Sequence, residues 1–333
     1  MTVETEDRVQ IDLLLGAGDD RALADDVLDG LTNHFKDLPP KHLYDTEGAL
    51  LFDAICEQPE YYPTRTERKI LEDNAAAMIE LTGATELVEL GSGTAAKTRL
   101  LLKAMDDAGH LDLYVPIDVT ESMVQDSATE IASEFASVRV HGIVGDFERH
   151  LAHVPESDPT RPRIVMVLGG TIGNLTQGKR RRFLRSLAPL LGEEAYIMIG
   201  TDLVKDPAII EAAYNDAAGV TAAFNLNVLK VINRELHADF DIDSFEHVSF
   251  FDREREWIEM RLRAKRAMRV RVEDLDLTVS FADGEEMRTE ISTKFTPERL
   301  QSDLEAAGLE SVGQFRDAED LYALTLARLA SSQ

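Results

Sequence analysis

The sequence predicts an α/β protein: an open, parallel, doubly wound sheet with a second, α+β domain inserted into it. Three observations carry this. From residue 86 to 202, apolar runs of strand length alternate with helical patterns, as a parallel sheet covered on both faces requires. The first strand, Glu86-Leu87-Val88-Glu89-Leu90, breaks at Gly91-Ser92-Gly93-Thr94 immediately before a helical run. After the fifth strand, roughly ninety residues of different rhythm intervene, far more than an ordinary connection.

Taken in order, residues 1–80 are mostly helical in pattern, punctuated by Pro39-Pro40 and by Pro59-Glu60-Tyr61-Tyr62-Pro63. Strands are predicted at 86–90, 113–118, 137–143, 164–168 and 196–200, with helices at 95–108, 121–134 and 178–190. An Ala/Asn-rich helical stretch covers 207–234. Charge-alternating, strand-like segments follow at 245–252, 256–270, 275–282 and 286–295. A helix at 297–307 and strands at 311–316 and 321–328 end the pattern. Residues 66–204 and 295–333 are therefore expected to form the sheet domain, and 1–65 with 205–294 the inserted one. Ligand sites favour such junctions.

The chain has 333 residues, enough for one large domain or two. It is 44% apolar, without the roughly 18-residue apolar run that a membrane helix needs. The N-terminus, Met1-Thr2-Val3-Glu4-Thr5-Glu6-Asp7, lacks a secretory h-region. The single cysteine, Cys56, excludes an internal disulfide and a cysteine-built metal site. Together these predict a cytoplasmic protein. A formal charge of −27 repels nucleic acid and anionic membranes, so neither is an expected partner. The acidity reads as a soluble surface or as adaptation to high salt. The basic run Lys179-Arg180-Arg181-Arg182 reads as a solvated helix face.

Strand, glycine turn, helix is how open α/β sheets hold a nucleotide-like ligand at a helix N-terminus. Glycine lets backbone approach the ligand where a Cβ would clash. Three acidic positions narrow the ligand. Glu89 precedes Gly91 by two residues, Asp118 closes the second strand, and Asp146 with Phe147 follows the third. An acid ending the second strand accepts from ribose hydroxyls. An Asp-Phe pair after the third can bind and cover adenine. The set resembles the seven-stranded, Rossmann-like S-adenosylmethionine-dependent methyltransferases. NAD is the alternative ligand, because Gly91-Ser92-Gly93-Thr94-Ala95-Ala96 also fits G-x-G-x-x-A.

Further motifs surround this core. They are Lys41-His42-Leu43-Tyr44-Asp45, the Pro59–Glu67 segment, Gly169-Gly170-Thr171-Ile172-Gly173-Asn174-Leu175, Gly200-Thr201-Asp202-Leu203, and Ala222-Ala223-Phe224-Asn225. In this order, over residues 15 to 330, the chain resembles the histidine-specific Nα-methyltransferases of ergothioneine biosynthesis. The resemblance implies trimethylation of the α-amine of L-histidine to hercynine, with S-adenosylmethionine as methyl donor and S-adenosylhomocysteine as product. It implies a monomer and no metal. Position by position, it implies cofactor contacts at Gly91, Gly93, Lys97, Asp118, Asp146 and Phe147. It implies substrate contacts at Tyr61, Gly169, Thr171, Asn174, Tyr214, Glu290 and Ser292, with Tyr44, Phe52 and Met260 around the pocket. Asn174 and Tyr214 would hold the carboxylate, Glu290 and Ser292 the imidazole, and Tyr44 could relay the amine proton. Gly170 and Leu226 depart from residues that other members carry.

Read without the resemblance, several of these positions are ordinary. Phe52 and Met260 read as packing, Asn174 as a loop residue satisfying backbone, and Glu290 as an exposed strand carboxylate. An N-methyltransferase for another aromatic amino acid or a biogenic amine is the alternative function. A buried carboxylate at 290 would favour a ring bearing an N–H.

Overall fold

The computed structural model describes residues 8–15, 17–158, 160–192 and 194–330. In chain order the main elements are β1 (Val9–Leu13), α1 (Ala17–Thr32), α2 (Thr46–Cys56), α3 (Tyr62–Thr82), β2 (Glu86–Leu90), α4 (Thr98–Asp107), β3 (Leu113–Asp118), α5 (Glu121–Glu134) and β4 (Arg139–Val144). There follow α6 (Phe147–His150), β5 (Arg163–Val167), α7 (Gln177–Ser186), β6 (Ala195–Asp202), α8 (Pro207–Ala213), α9 (Val220–Glu235), β7 (Phe245–Asp252) and β8 (Trp257–Ala264). The last are β9 (Met268–Val272), β10 (Leu277–Phe281), β11 (Glu286–Thr293), α10 (Pro297–Ala306), β12 (Leu309–Arg316) and β13 (Tyr322–Leu329).

The chain divides into two compact units. The first holds the described residues up to Leu15, Pro63–Val204, and Phe295 onward. Its eight-stranded sheet has the order β1-β4-β3-β2-β5-β6-β13-β12. Pairing is parallel from β1 through β6 and antiparallel at β6–β13 and β13–β12. From β2 the chain winds outward through β3 and β4, then returns to the other side with β5. The topological switch point, where such sheets bind ligands, is therefore between β2 and β5.

Alternation along the strands explains their apolar runs. Leu87, Tyr114, Ile164 and Met198 face α3, α4 and α5, packing with Leu71, Met78, Leu101 and Ile131. Val88, Val115, Val165 and Ile197 face the other way, packing with Phe183, Leu184, Leu300 and Leu304 of α7 and α10. A strand buried on both faces has no polar side, so it reads as continuous apolar sequence.

The sheet has one strand more than the seven predicted, and it comes from a segment read as helical. Residues 1–65 were expected to belong wholly to the inserted domain. Instead β1 pairs with β4 in parallel, from Val9 opposite Val140 to Leu13 opposite Val144. Val9 and Ile11, two apart, pack on the core beside α5. The Arg8 guanidinium donates to the carbonyls of Ala132, Phe135 and Val138 at 2.6–3.0 Å, satisfying the C-terminal end of α5.

The arginine run also departs from expectation. Arg180 is 2% exposed and donates to buried Asp303 of α10, with its guanidinium over the Phe295 ring. Arg181 pairs with the same carboxylate. These arginines fasten α7 to α10. A buried arginine persists only when paired in this way.

The second unit holds residues 17–62 and 205–294. Helices α2 and α9 pack together beside a three-stranded antiparallel sheet, β11-β8-β7, and a hairpin of β9 and β10. The single strand predicted at 256–270 is two, β8 and β9, interrupted at Lys265-Arg266-Ala267. The helical stretch 207–234 is likewise α8 and α9, separated around Gly219, whose φ is +75°. Among the described residues no helix is long and apolar enough to cross a membrane.

Candidate active site

In the first unit the turn after β2 sits at the switch point. Gly91 and Gly93 have φ of +79° and +50°, a region that favours glycine. A Cβ on Gly93 would meet nothing within 4 Å, so the turn is open on that side. Asp118, at the end of β3, accepts from Gly93 N through Oδ2 and from Thr120 N through Oδ1, each at 2.9 Å. Asp146 caps α6, and the half-buried Phe147 ring lies beside Gly91 and against Phe183. Gly91, Gly93, Asp118 and Phe147 thus gather around one turn. Ser92 Oγ, buried in that turn, has no partner among the described residues.

Glu89 supports the turn from beneath. It is 3% exposed and accepts from Thr98 Oγ1 and Tyr114 Oη, both at 2.6 Å. Burial pushes its carboxyl up to about 7 despite those bonds. Glu67 on α3 forms a second hub, fully buried. It accepts from Gly169 N at 2.9 and 3.0 Å and from Tyr322 Oη at 2.9 Å, and it pairs with the Lys97 ammonium. It thereby ties Lys97, beside the glycine turn, to the loop after β5. That loop carries Thr171, whose hydroxyl donates to Leu168 O, and half-buried Asn174, whose side chain has no hydrogen-bond partner among the described residues.

The second unit gathers the remaining predicted residues. Tyr44 packs edge-on against Phe52 and Phe224, with centroids 5.4 and 5.2 Å away. Phe52 meets Tyr61, and Tyr61 meets Tyr214. Burial, then the neighbouring Tyr214, holds the Tyr61 hydroxyl above its ordinary value and so neutral. On β11, Glu290 and Ser292 share a face by the two-residue period. Met260 of β8 stands directly across the ladder from Glu290. Glu290 is 8% exposed and accepts no hydrogen bond from a described residue. Desolvation raises its carboxyl to about 7 against the lowering influence of Lys294. The unaided reading of Glu290 as an exposed strand carboxylate is overturned by this burial.

A polar chain fixes Tyr214 from behind. His247 bonds the Tyr214 carbonyl through Nε2 and Asn225 Nδ2 through Nδ1, both at 2.9 Å. Asn225 also donates to Arg261 O and accepts from Thr289 Oγ1. The amide donor facing Nδ1 requires a neutral imidazole with its proton on Nε2. Burial holds the His247 pKa below the ordinary 6.5. A group depressed in this way binds its proton more weakly folded than unfolded. Its stabilisation is present above 6.5 and lost as pH falls below that value. Thermal melts from pH 8 to pH 5 should therefore lose more stability for wild type than for His247→Gln. Parallel losses would show that His247 is not the titrating group.

Two buried charges beside these groups escape sequence reading. Glu67 lies 102 and 255 positions from its partners Gly169 and Tyr322, so no local pattern shows it. Lys294 continues the 290, 292 alternation by one step, and period 2 was the available signal.

A seven-strand core with its last pair reversed, a glycine turn at the switch point and an acid ending the next strand define a class I methyltransferase. The profile of the histidine-specific, S-adenosylmethionine-dependent methyltransferases matches residues 23–329, and the chain belongs to that family. It is 50% identical over 306 residues to the histidine N-alpha-methyltransferase of Mycolicibacterium smegmatis, covering 92% of this chain and 94% of that one. The Mycobacterium tuberculosis histidine N-alpha-methyltransferase is 49% identical over the same coverage. Ergothioneine biosynthesis protein 1 of Neurospora crassa is 33% identical over 201 residues, 60% of this chain and 23% of that protein. The methyl donor is S-adenosylmethionine. The open glycine turn, the Asp118 carboxylate and the orphaned Ser92 hydroxyl fit such a ligand. Among the described residues no cluster of His, Cys, Asp or Glu is placed to hold a metal ion.

Proposed function

We propose that this chain transfers methyl groups from S-adenosylmethionine to the α-amine of L-histidine, three times, giving hercynine in the first step of ergothioneine biosynthesis. One observation carries the substrate reading: a buried, unpartnered carboxylate, Glu290, with Ser292 beside it on β11. A buried carboxylate favours a partner N–H, and an imidazole supplies one together with a second, accepting nitrogen. Family membership supports the same substrate.

The two units divide the work in this reading. The first, with Gly91, Gly93, Lys97, Asp118, Asp146 and Phe147, holds the donor. The second, with Tyr44, Phe52, Tyr61, Tyr214, Met260, Glu290 and Ser292, holds histidine; the family resemblance assigns further substrate contacts to Gly169, Thr171 and Asn174. All these groups belong to one chain, which acts as a monomer.

The bound donor supplies an electrophilic methyl group on a sulfonium. The chain's residues must present a neutral amine, aligned and dry. The Tyr44 hydroxyl relays the amine proton, releasing its own proton to water as it accepts that of the amine. The faces of Tyr44, Phe52 and Tyr61 stabilise the growing ammonium by roughly 0.5–2 kcal/mol each. The family resemblance assigns the substrate carboxylate to Tyr214 and Asn174.

Histamine, which lacks that carboxylate, should be turned over at a small fraction of the rate with histidine, because donors left unpaired in a buried site are costly. Methyl-transfer assays with both compounds test this. Equal rates would contradict the carboxylate assignment.

A further inference from the structure

Lys294 follows β11 and extends its pocket face by one more alternate position, after Glu290 and Ser292. Its side chain is fully buried. The ammonium donates to Ser292 Oγ at 2.9 Å and to Tyr214 Oη at 3.1 Å, and it lies 4.6 Å from the Tyr214 ring centroid. Two residues assigned to opposite ends of histidine therefore share one buried cation.

An ammonium has three donors and no acceptor. A hydroxyl that accepts from it cannot give its own proton back, so that proton must turn elsewhere. For Ser292, no acceptor for it stands among the described residues. A serine hydroxyl alone could serve a ligand as donor or as acceptor. Accepting from Lys294 uses one lone pair and turns the proton, which has no other acceptor among the described residues, toward the ligand.

We infer that Lys294 is a positioning residue that sets the hydrogen-bond polarity of the substrate pocket, making the Ser292 hydroxyl a donor toward the ligand. The inference rests on the histidine reading and deepens it. Glu290 accepts from the ring N–H while Ser292 donates to the other ring nitrogen, so the pocket selects a neutral imidazole with one nitrogen of each kind. A protonated imidazole, with two donors, would offer the Ser292 proton no acceptor and leave it unpaired.

The test is a double-mutant cycle read through KM and kcat for histidine, with histidine affinity measured by calorimetry. Lys294→Met frees the Ser292 hydroxyl to rotate. It should raise KM ~10- to 30-fold and leave kcat within ~3-fold, the size expected for one charge-assisted hydrogen bond. Ser292→Ala should raise KM ~10-fold, and the double variant should be no worse than Lys294→Met, because Lys294 acts through the missing hydroxyl. Lys294→Gln, which keeps an N–H donor, should recover part of the loss. Multiplying losses, an unchanged KM in Lys294→Met, or a fall in kcat alone would overturn the inference. If Lys294→Met does not fold, the cycle is read with Lys294→Gln on the same criteria. Wild-type enzyme that leaves histidine unmethylated defeats the substrate reading itself, a failure seen before any variant is made.

Discussion

Glu290→Ala lowers kcat/KM for histidine by ~10²-fold or more and relaxes discrimination against larger rings. The carboxylate is 8% exposed and accepts no hydrogen bond from a described residue, which is why a ligand N–H is proposed as its partner. With Glu290 ionised, phenylalanine would leave that charge desolvated and unpaired, a cost of several kcal/mol and a rejection of ~10⁴-fold. Removing the carboxylate removes the penalty. Met260 faces Glu290 across the β8–β11 ladder. Trimming it to Val in the Glu290→Ala background should therefore enlarge the same space and favour tryptophan. Competition kinetics with histidine, phenylalanine and tryptophan measure both effects. If Glu290→Ala keeps wild-type rate and selectivity, Glu290 does not bind the ring.

The second large effect is expected at the donor site. Asp118→Ala should weaken S-adenosylmethionine binding by ~1.5–3 kcal/mol, since two ribose hydroxyls lose a charged acceptor. The structure adds a second reason. Asp118 Oδ2 accepts from Gly93 N, so the variant also releases the turn that must approach the ligand. Calorimetric titration checks this, with Asp146→Ala as a milder comparison because, among the described residues, the Asp146 carboxylate bonds only the α6 N-terminus. Unchanged affinity in Asp118→Ala would remove that residue from the site.

What the sequence made legible follows from where each interaction lies along the chain. The run from β2 through β3 was readable because its strands are buried on both faces and the turn between β2 and α4 carries its own glycines. The strand β1 was missed because five residues, Val9 to Leu13, offer little periodicity before a long helical region. The interruption between β8 and β9 was hidden because charge alternation continues through it. Arg180 looked solvated because its partner, Asp303, is 123 residues away. The site divides in the same way. Local motifs marked Gly91, Gly93 and Asp118, and resemblance marked Glu290, Ser292 and Tyr214. The buried charges that organise them, Glu67 and Lys294, become visible only once the chain is folded.

The central claim is that the acceptor is the α-nitrogen of histidine. The most direct measurement is tandem mass spectrometry of histidine incubated with the purified chain and S-adenosylmethionine. The account predicts a mass gain of three methyl units, with fragments placing all of them on the α-nitrogen and none on the imidazole. Unmodified histidine, or methyl groups on a ring nitrogen, would contradict it.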